Sequence, residues 1–463
     1  MAKSQIGLIG LAVMGENLAR NIAGHGFKVS VFNRTTEKTD KFIEKFKKNS
    51  LLTGTRSLKE FINSLKTPRK IILLVKAGEA VDEMIKKLTP LLNKNDILID
   101  CGNSHFKDTE RRQEQLKQIH FIGCGISGGE EGALKGPSLM PGGDKKAWQK
   151  IKPIFEKIAA KDFSGKPCVT YLGPSGSGHF IKMVHNGIEY AIMQLIAESY
   201  DILKNIGKFP NPELAKIFSN FSKTENLESF LIEITARIFR KREGSKYIID
   251  LIRDSAGQKG TGKWTTEEGL NLSTSIPIIN AAVDARIISG NETYRKNYKT
   301  FPKIILKTKK QNITHLVRDA LELSIVLSYI QGFELISKAN PEYNWNLSLN
   351  EITRIWQGGC IIRSKILKKF MLGYGKNQQQ SKSAKKSILK EFSSPKQKNW
   401  RKLLILTTSI GLPTPALSNA LTYYDTLTNK HLPQNLIQAQ RDFFGAHGYE
   451  RTDKKGEFHT NWS

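Results

Sequence analysis

Two textures of apolar residues divide the chain. In its first 173 residues short runs rich in β-branched and aromatic side chains, at 6–9, 28–32, 71–75, 97–100, 121–124 and 169–172, alternate with helix-like stretches. That alternation predicts repeated βαβ units and a doubly wound, parallel sheet. After the turn PSGSGH at 174–179 the spacing changes to threes and fours, through Ile181, Val184, Ile188, Ile192, Leu195 and Ser199. Helices are expected over 182–206, 212–220, 227–241, 278–290, 313–338, 361–370, 395–410 and 415–428. The pattern therefore predicts an α/β domain over 1–175, a large all-α domain over 176–432, and a tail over 433–463. The tail starts helix-like and turns polar, with isolated aromatics at Phe443, Phe444, Tyr449, Phe458 and Trp462. It cannot bury those rings alone, so it is expected to fray or to dock on another surface such as a second subunit.

A length of 463 residues agrees with more than one core, and 39% apolar with 25% charged residues is a globular composition. The net charge of +29 raises the reading of a basic nucleic-acid-binding protein. Against it, lysines are spread through every region, no basic stripe is interleaved with aromatics, and only 18 of the 72 basic residues are Arg. The excess reads as a lysine-rich surface, with no nucleic acid implied. Cys101, Cys124, Cys168 and Cys360 lack metal-ligand spacing, which suggests a reduced cytoplasmic setting and no metal. No stretch nears the roughly 18 contiguous apolar residues of a membrane span, so no membrane association is expected. Lys3 followed by IGLIGLAVMG imitates a secretory signal, but its glycine spacing and Glu16 favour a strand and phosphate loop.

That segment holds Gly10, Leu11, Ala12, Val13, Met14 and Gly15, a GxAxxG form of the dinucleotide fingerprint. Gly10 permits the tight turn and Gly15 close packing of helix on strand, which makes the α/β domain Rossmann-like. The next strand ends at Asn33, Arg34 and Thr35, where an NAD site would carry an acidic residue for the ribose hydroxyls. Arg34, Thr35 and Lys38 suit a 2′-phosphate instead, so NADP is the expected cofactor. Val75, Lys76 and Ala77, then Asn103, then Ser127, Gly128 and Gly129 follow later strands, at the sheet edge where such folds bind ligands. In HFIKMVHNGIEYAI, Lys182, His185, Asn186 and Glu189 fall at i, i+3, i+4 and i+7 and form a polar stripe, which a solvated helix face would also show. Gly187 within it costs helix stability unless something approaches closely.

The blocks GLAVMG, NRT, LVKAG, GISGGEEGALKGPSLMPGG, GHFIKMVHNGIEY, QKGTGKW, GGCIIRS and AQRDFFGAHGYER resemble the 6-phosphogluconate dehydrogenase family, the decarboxylating enzymes, over essentially the whole chain. The resemblance implies NADP-linked oxidative decarboxylation of 6-phosphogluconate to ribulose 5-phosphate, a homodimer, and no metal. It implies that Lys182 is the general base and Glu189 the acid that protonates carbon 1 of the enediol. Asn103, Ser127, Gly128, Gly129, His185 and Asn186 would hold the sugar acid. Tyr190, Lys259, Thr261 and Arg286 would hold its phosphate, completed by Arg441 and His447 from the partner's tail. Four positions depart from the pattern: Cys101 for Gly, Asp284 for an aromatic, Gln357 for Arg and Gly448 for Thr. Of these, Gly448 beside His447 is expected to loosen the tail. A shorter β-hydroxyacid dehydrogenase, which shares the N-terminal loop and a catalytic lysine, is the alternative, but it lacks the extra helical length and the tail.

Overall fold

The computed structural model describes residues 2–297, 310–392 and 394–462. Seven strands, β1 (Ile6–Ile9), β2 (Val29–Phe32), β3 (Leu52–Gly54), β4 (Lys70–Leu73), β5 (Ile97–Asp100), β6 (His120–Ser127) and β7 (Ser138–Gly143), form one sheet in the order β3-β2-β1-β4-β5-β6-β7. The first six are parallel, and β7 runs antiparallel to β6 from Ile122↔Gly143 to Ser127↔Ser138. Every residue of β1, β2 and β5 is buried, as a sheet covered by helices on both faces requires. The order reverses beside β1, where β2 and β4 leave to opposite sides and open a crevice at their carboxyl ends.

The expected strand at 169–172 is not in this sheet. That segment makes a single bridge, Leu139↔Val169, and irregular bonds such as Leu172 N–H to Pro141 O at 2.9 Å. The missed strand is β7, whose Pro141 and paired glycines mask its signal; a proline is tolerated because β7 is an edge. Three-residue β3 is too short to show periodicity.

Helices fill the rest. The expected helix at 182–206 begins earlier and spans Ser177–Asn205, and the one at 313–338 spans Lys310–Glu342. These two pack together so closely that a Cβ on Gly332 would lie 2.3 Å from Ile188 Cδ1. The expected helix at 361–370 is only Leu367–Gly373, because the backbone before it bonds elsewhere: Ile361 N–H to Ser127 Oγ at 3.3 Å and Lys365 N–H to Glu228 O at 2.9 Å. Among the described residues one helix, Asn312–Glu342, is long and apolar enough to cross a membrane by length and composition, but charged residues interrupt it and 83% of its most apolar window is buried inside the protein. That window is apolar all round because the helix is the central member of a helical bundle.

The Ser177–Asn205 helix joins the two domains without a linker. Gly178 sits so near the sheet that a Cβ there would be 2.3 Å from Gly123 O and 2.4 Å from Met140 O. Phe106 from the sheet domain packs at 5.2 Å from Phe180 and 5.9 Å from Trp345, so the helical core extends across the junction.

The tail folds on itself rather than fraying. Helix Gln434–Gly445 is followed by a hairpin pairing Tyr449–Glu450 with Glu457–Phe458. Both are gathered on the buried Asp442 carboxylate, which accepts from Gly448 N–H (3.0 Å), Thr460 N–H (3.1 Å) and Trp462 Nε1 (2.8 Å) and faces His459 Nδ1 at 2.8 Å. Gly448 has φ 69°, a conformation glycine adopts without strain, and its N–H is one of the donors on Asp442. Apolar Leu436, Ile437, Phe443 and Phe444 remain exposed.

Candidate active site

The turn after β1 is built as its glycines suggest. Gly10 has φ 104°, and a Cβ there would be 2.3 Å from Leu74 O; one on Gly15 would be 1.8 Å from Gly10 O. Leu11 N–H donates to Asn33 Oδ1 at 3.0 Å, so Asn33 ties the turn to the end of β2. A cavity of about 290 Å³ opens beside them, lined by Gly10, Ala12, Arg34, Thr35, Val75 and Lys76, among others. Arg34, Thr35 and Lys76 are exposed toward solvent, Leu11 is buried behind the turn, and Val13 is exposed and Met14 half-buried at the start of the following helix. Sequence reasoning missed the cavity's far wall, Ala80, Glu83, Met84 and Lys87 on helix Glu79–Leu88. Their i, i+3, i+4, i+7 spacing was the available signal.

Asn103 is exposed at the end of β5, in a loop braced from below. The buried Asp100 carboxylate accepts from Gly102 N–H at 3.0 Å and Ser104 Oγ at 2.6 Å, and Arg112, 1% exposed, joins it to Asp82 on helix Glu79–Leu88. Cys101 is buried beneath this loop.

The polar stripe is not a solvated face. Lys182, His185 and Asn186 are buried, and the Glu189 side chain is 21% exposed. Alternate residues of β6 meet successive turns of the helix: a Cβ on Gly123 would lie 2.8 Å from His179 Nδ1, one on Gly125 2.2 Å from Lys182 Cβ, and Ser127 Oγ lies 3.1 Å from His185 Nε2. Gly125 is thus the space through which the Lys182 stem passes. Its period-two spacing with Gly123 and Ser127 was legible, but not the helix it would face.

Lys182 Nζ hydrogen-bonds to Asn186 Oδ1, which also lies 3.0 Å from His185 Nδ1, while Asn186 Nδ2 donates to Thr261 Oγ1 at 3.1 Å. Glu189 Oε2 stands 3.8 Å from His185 Nδ1. Burial lowers the Lys182 pKa, with Glu189 pulling the other way. Burial raises the Glu189 pKa against the opposing pull of Lys182 and Arg286. Burial, reinforced by Lys182, keeps His185 well below its ordinary range and therefore neutral. Gly187 earns its place, since a Cβ there would be 2.6 Å from Thr265 Cγ2.

Arg286 lies over the Tyr190 ring at 3.5 Å, and Thr261, joined to Asn186, starts helix Thr261–Asn271. Lys259 is exposed two residues before it, and Gly128 and exposed Gly129 follow β6 at the start of a short helix. Asp284 lies exposed on the Arg286 helix, and Gln357 is buried, accepting from Phe163 N–H at 3.4 Å. Arg441 and His447 are not gathered with these residues within one chain: Arg441 bonds to Gln438 at 3.1 Å and His447 packs on Phe444.

A glycine turn opening on a cation-lined crevice, in a chain whose domain-joining helix carries a buried lysine and a half-buried carboxyl, defines a dinucleotide-dependent oxidoreductase. The comparisons narrow the class. Residues 5–173 match the NAD binding domain of 6-phosphogluconate dehydrogenase, and residues 178–462 match its C-terminal domain. The NADP(+)-dependent, decarboxylating 6-phosphogluconate dehydrogenase of Bacillus subtilis is 50% identical, with 100% of each chain covered, and the decarboxylating 6-phosphogluconate dehydrogenase of Rattus norvegicus is 47% identical over 100% of this chain and 97% of its own. The Plasmodium falciparum 6-phosphogluconate dehydrogenase, solved in apo form and with NADP+ or 6-phosphogluconate, superposes with a TM-score of 0.90 at 42% identity, covering 99% of this chain and 100% of that one. The chain belongs to the 6-phosphogluconate dehydrogenase family.

Proposed function

We infer that the protein oxidises 6-phosphogluconate at carbon 3 and decarboxylates it to ribulose 5-phosphate and carbon dioxide, with NADP as oxidant. The observation that carries this reading is the buried Lys182, held opposite Glu189 on one helix face within a chain related over its full length to these enzymes. NADP, when bound, accepts the hydride. Its fit is supported by the tight glycine turn, in which Gly10 and Gly15 leave no room for a side chain and so bring the backbone to the edge of the crevice, and by Arg34, Thr35 and Lys76 along that crevice.

Lys182, its pKa lowered by burial, takes the hydroxyl proton as carbon 3 loses hydride. As an ammonium it then polarises the new carbonyl at carbon 3, so that the bond between carbons 1 and 2 breaks, the carboxylate leaves as carbon dioxide, and the electron pair it leaves behind forms an enediol across carbons 2 and 3. Glu189, its pKa raised by burial, delivers a proton to carbon 1 of the enediol, the carbon that carried the lost carboxylate. The two backbones stand about 10 Å apart along the helix, a span two long side chains can close around one substrate. Asn103, Ser127, Gly128, Gly129, His185 and Asn186 hold the sugar acid. The paired Tyr190 and Arg286, with Lys259 and Thr261, hold the phosphate.

The 1–175 segment serves as the NADP-binding domain and 176–432 as the substrate and dimerisation domain, and the protein works in the cytoplasm. The tail 433–463 reaches a second copy of the chain, where Arg441 and His447 complete the phosphate site. Support comes from the exposed Leu436, Ile437, Phe443 and Phe444 on a well-formed unit whose Arg441 and His447 meet, among the described residues, no site residue of their own chain. A heterodimer of Arg441→Ala and Lys182→Met chains should then recover about half of wild-type activity per dimer. No recovery, with the heterodimer confirmed, argues for action in cis. The activity itself is tested by mixing protein, 6-phosphogluconate and NADP. NADPH absorbance must rise in step with released carbon dioxide, and absorbance without gas would reject decarboxylation.

A further inference from the structure

Helix Glu79–Leu88 presents one face to the dinucleotide crevice, through Ala80, Glu83, Met84 and Lys87. Across the cavity stand Arg34, Thr35 and Lys38, at the end of β2 and the start of helix Thr36–Lys45. The far wall divides by chemistry: Ala80 and Met84 are small or apolar, whereas Glu83 and Lys87 are charged and exposed. Glu83 preceding Lys87 by four residues is the favourable order for a helix ion pair. Nevertheless no ion pair or hydrogen bond engages either side chain among the described residues. Asp82 on the same helix is clamped by Arg112 at 2.8 Å, which fixes the wall's orientation and keeps its charged face toward the crevice.

We propose that Glu83 and Lys87 are specificity determinants that act in opposite directions on the 2′-phosphate of the dinucleotide. Lys87 extends the cationic rim of Arg34 and Lys38 to the opposite wall and favours a phosphorylated ribose. Glu83 brings a carboxylate into the same cavity, so it opposes that dianion and leaves an unphosphorylated ribose unaffected. The chain's preference for NADP is therefore a balance, and removing one carboxylate raises it. The proposal rests on the crevice being the NADP site.

The test uses adenosine 2′,5′-bisphosphate and adenosine 5′-monophosphate, titrated calorimetrically into wild type, Glu83→Gln and Lys87→Met at low ionic strength. Both substitutions are at exposed helix positions and introduce good helix formers, so folding is preserved. Glu83→Gln should bind the bisphosphate about two- to fivefold more tightly, and Lys87→Met weaker by a similar factor, the scale of exposed charge interactions. The monophosphate should not respond to either change. A shift shared equally by both ligands would show that the wall serves the adenine and overturn the proposal, as would two unchanged affinities. If the wild type itself fails to prefer the bisphosphate, the crevice assignment is wrong and the proposal falls with it.

Discussion

The dinucleotide crevice and the polar helix stripe solve recognition by opposite means. In the crevice, exposed side chains such as Arg34 and Lys76 stand around a backbone turn, each largely independent of the others. In the stripe, Lys182, His185 and Asn186 are buried and share partners, with Asn186 Oδ1 serving both neighbours while its amide donates to Thr261. Exposed charges act through a screened field and change ligand preference gradually. Buried groups act through a fixed network and fail together.

The largest expected effect tests that contrast directly. Lys182→Met should reduce kcat about 10²- to 10⁴-fold, the usual worth of a general base, while NADP binding measured by fluorescence titration stays within about twofold. A loss of cofactor affinity comparable to the loss of rate would break the separation of the two regions. Gly125→Ala, which changes no catalytic residue, should lower kcat nearly as far, because the added methyl occupies the path of the Lys182 stem and displaces it. Overpacking should also cost about 1–3 kcal/mol of stability by urea denaturation.

Glu198 separates burial from catalysis on the same helix. Its carboxylate accepts Ala416 N–H (2.8 Å) and Leu417 N–H (2.9 Å), and burial raises its pKa from 4.5 to about 7. A raised carboxyl contributes stability that is complete below pH 4.5 and is lost as pH rises through about 7. Relative to Glu198→Gln, the wild type should lose about 3 kcal/mol between pH 4 and pH 8 in thermal unfolding. Parallel profiles of the two proteins would refute the shift. Arg34→Asp, in the exposed crevice, should change the NADP to NAD ratio of kcat/KM roughly tenfold toward NAD with little effect on Tm. A changed Tm would mean that Arg34 supports the fold.

The same contrast explains which parts of the chain could be read in advance. β1, β2, β4 and β5 announce themselves because a strand buried on both faces is a short apolar run bounded by turn residues. β7 does not, since an edge strand tolerates the proline and glycines that elsewhere mark a turn. In the candidate site, the spacing of Lys182, His185, Asn186 and Glu189 was visible, and so was the glycine turn at Gly10–Gly15. That the stripe is buried was not, because its cover is Gly123, Gly125 and Ser127, more than fifty residues upstream. Helix 361–370 was misjudged for a related reason: its apolar spacing is helical, but Ser127, Glu228 and Phe230 take the backbone bonds that a helix would use. Arg112 reads as one more surface cation in a charged helix, and only the folded chain shows it joining Asp82 to Asp100.

The junction of Gly178 with Gly123 and Met140 has a bearing on motion. Many two-domain enzymes open and close like a clamshell about a few hinge residues, and that rotation expels water before chemistry begins. Here the helix that would have to swing is locked into the sheet at its first turn, with Phe106, Phe180 and Trp345 wedged across the seam. A rotation of even a few degrees would drive backbone into backbone or open an apolar gap. The seam thus carries any shift of the sheet straight into the first turn of the helix that bears Lys182 and Glu189, so the two domains act there as a single lever rather than as two jaws.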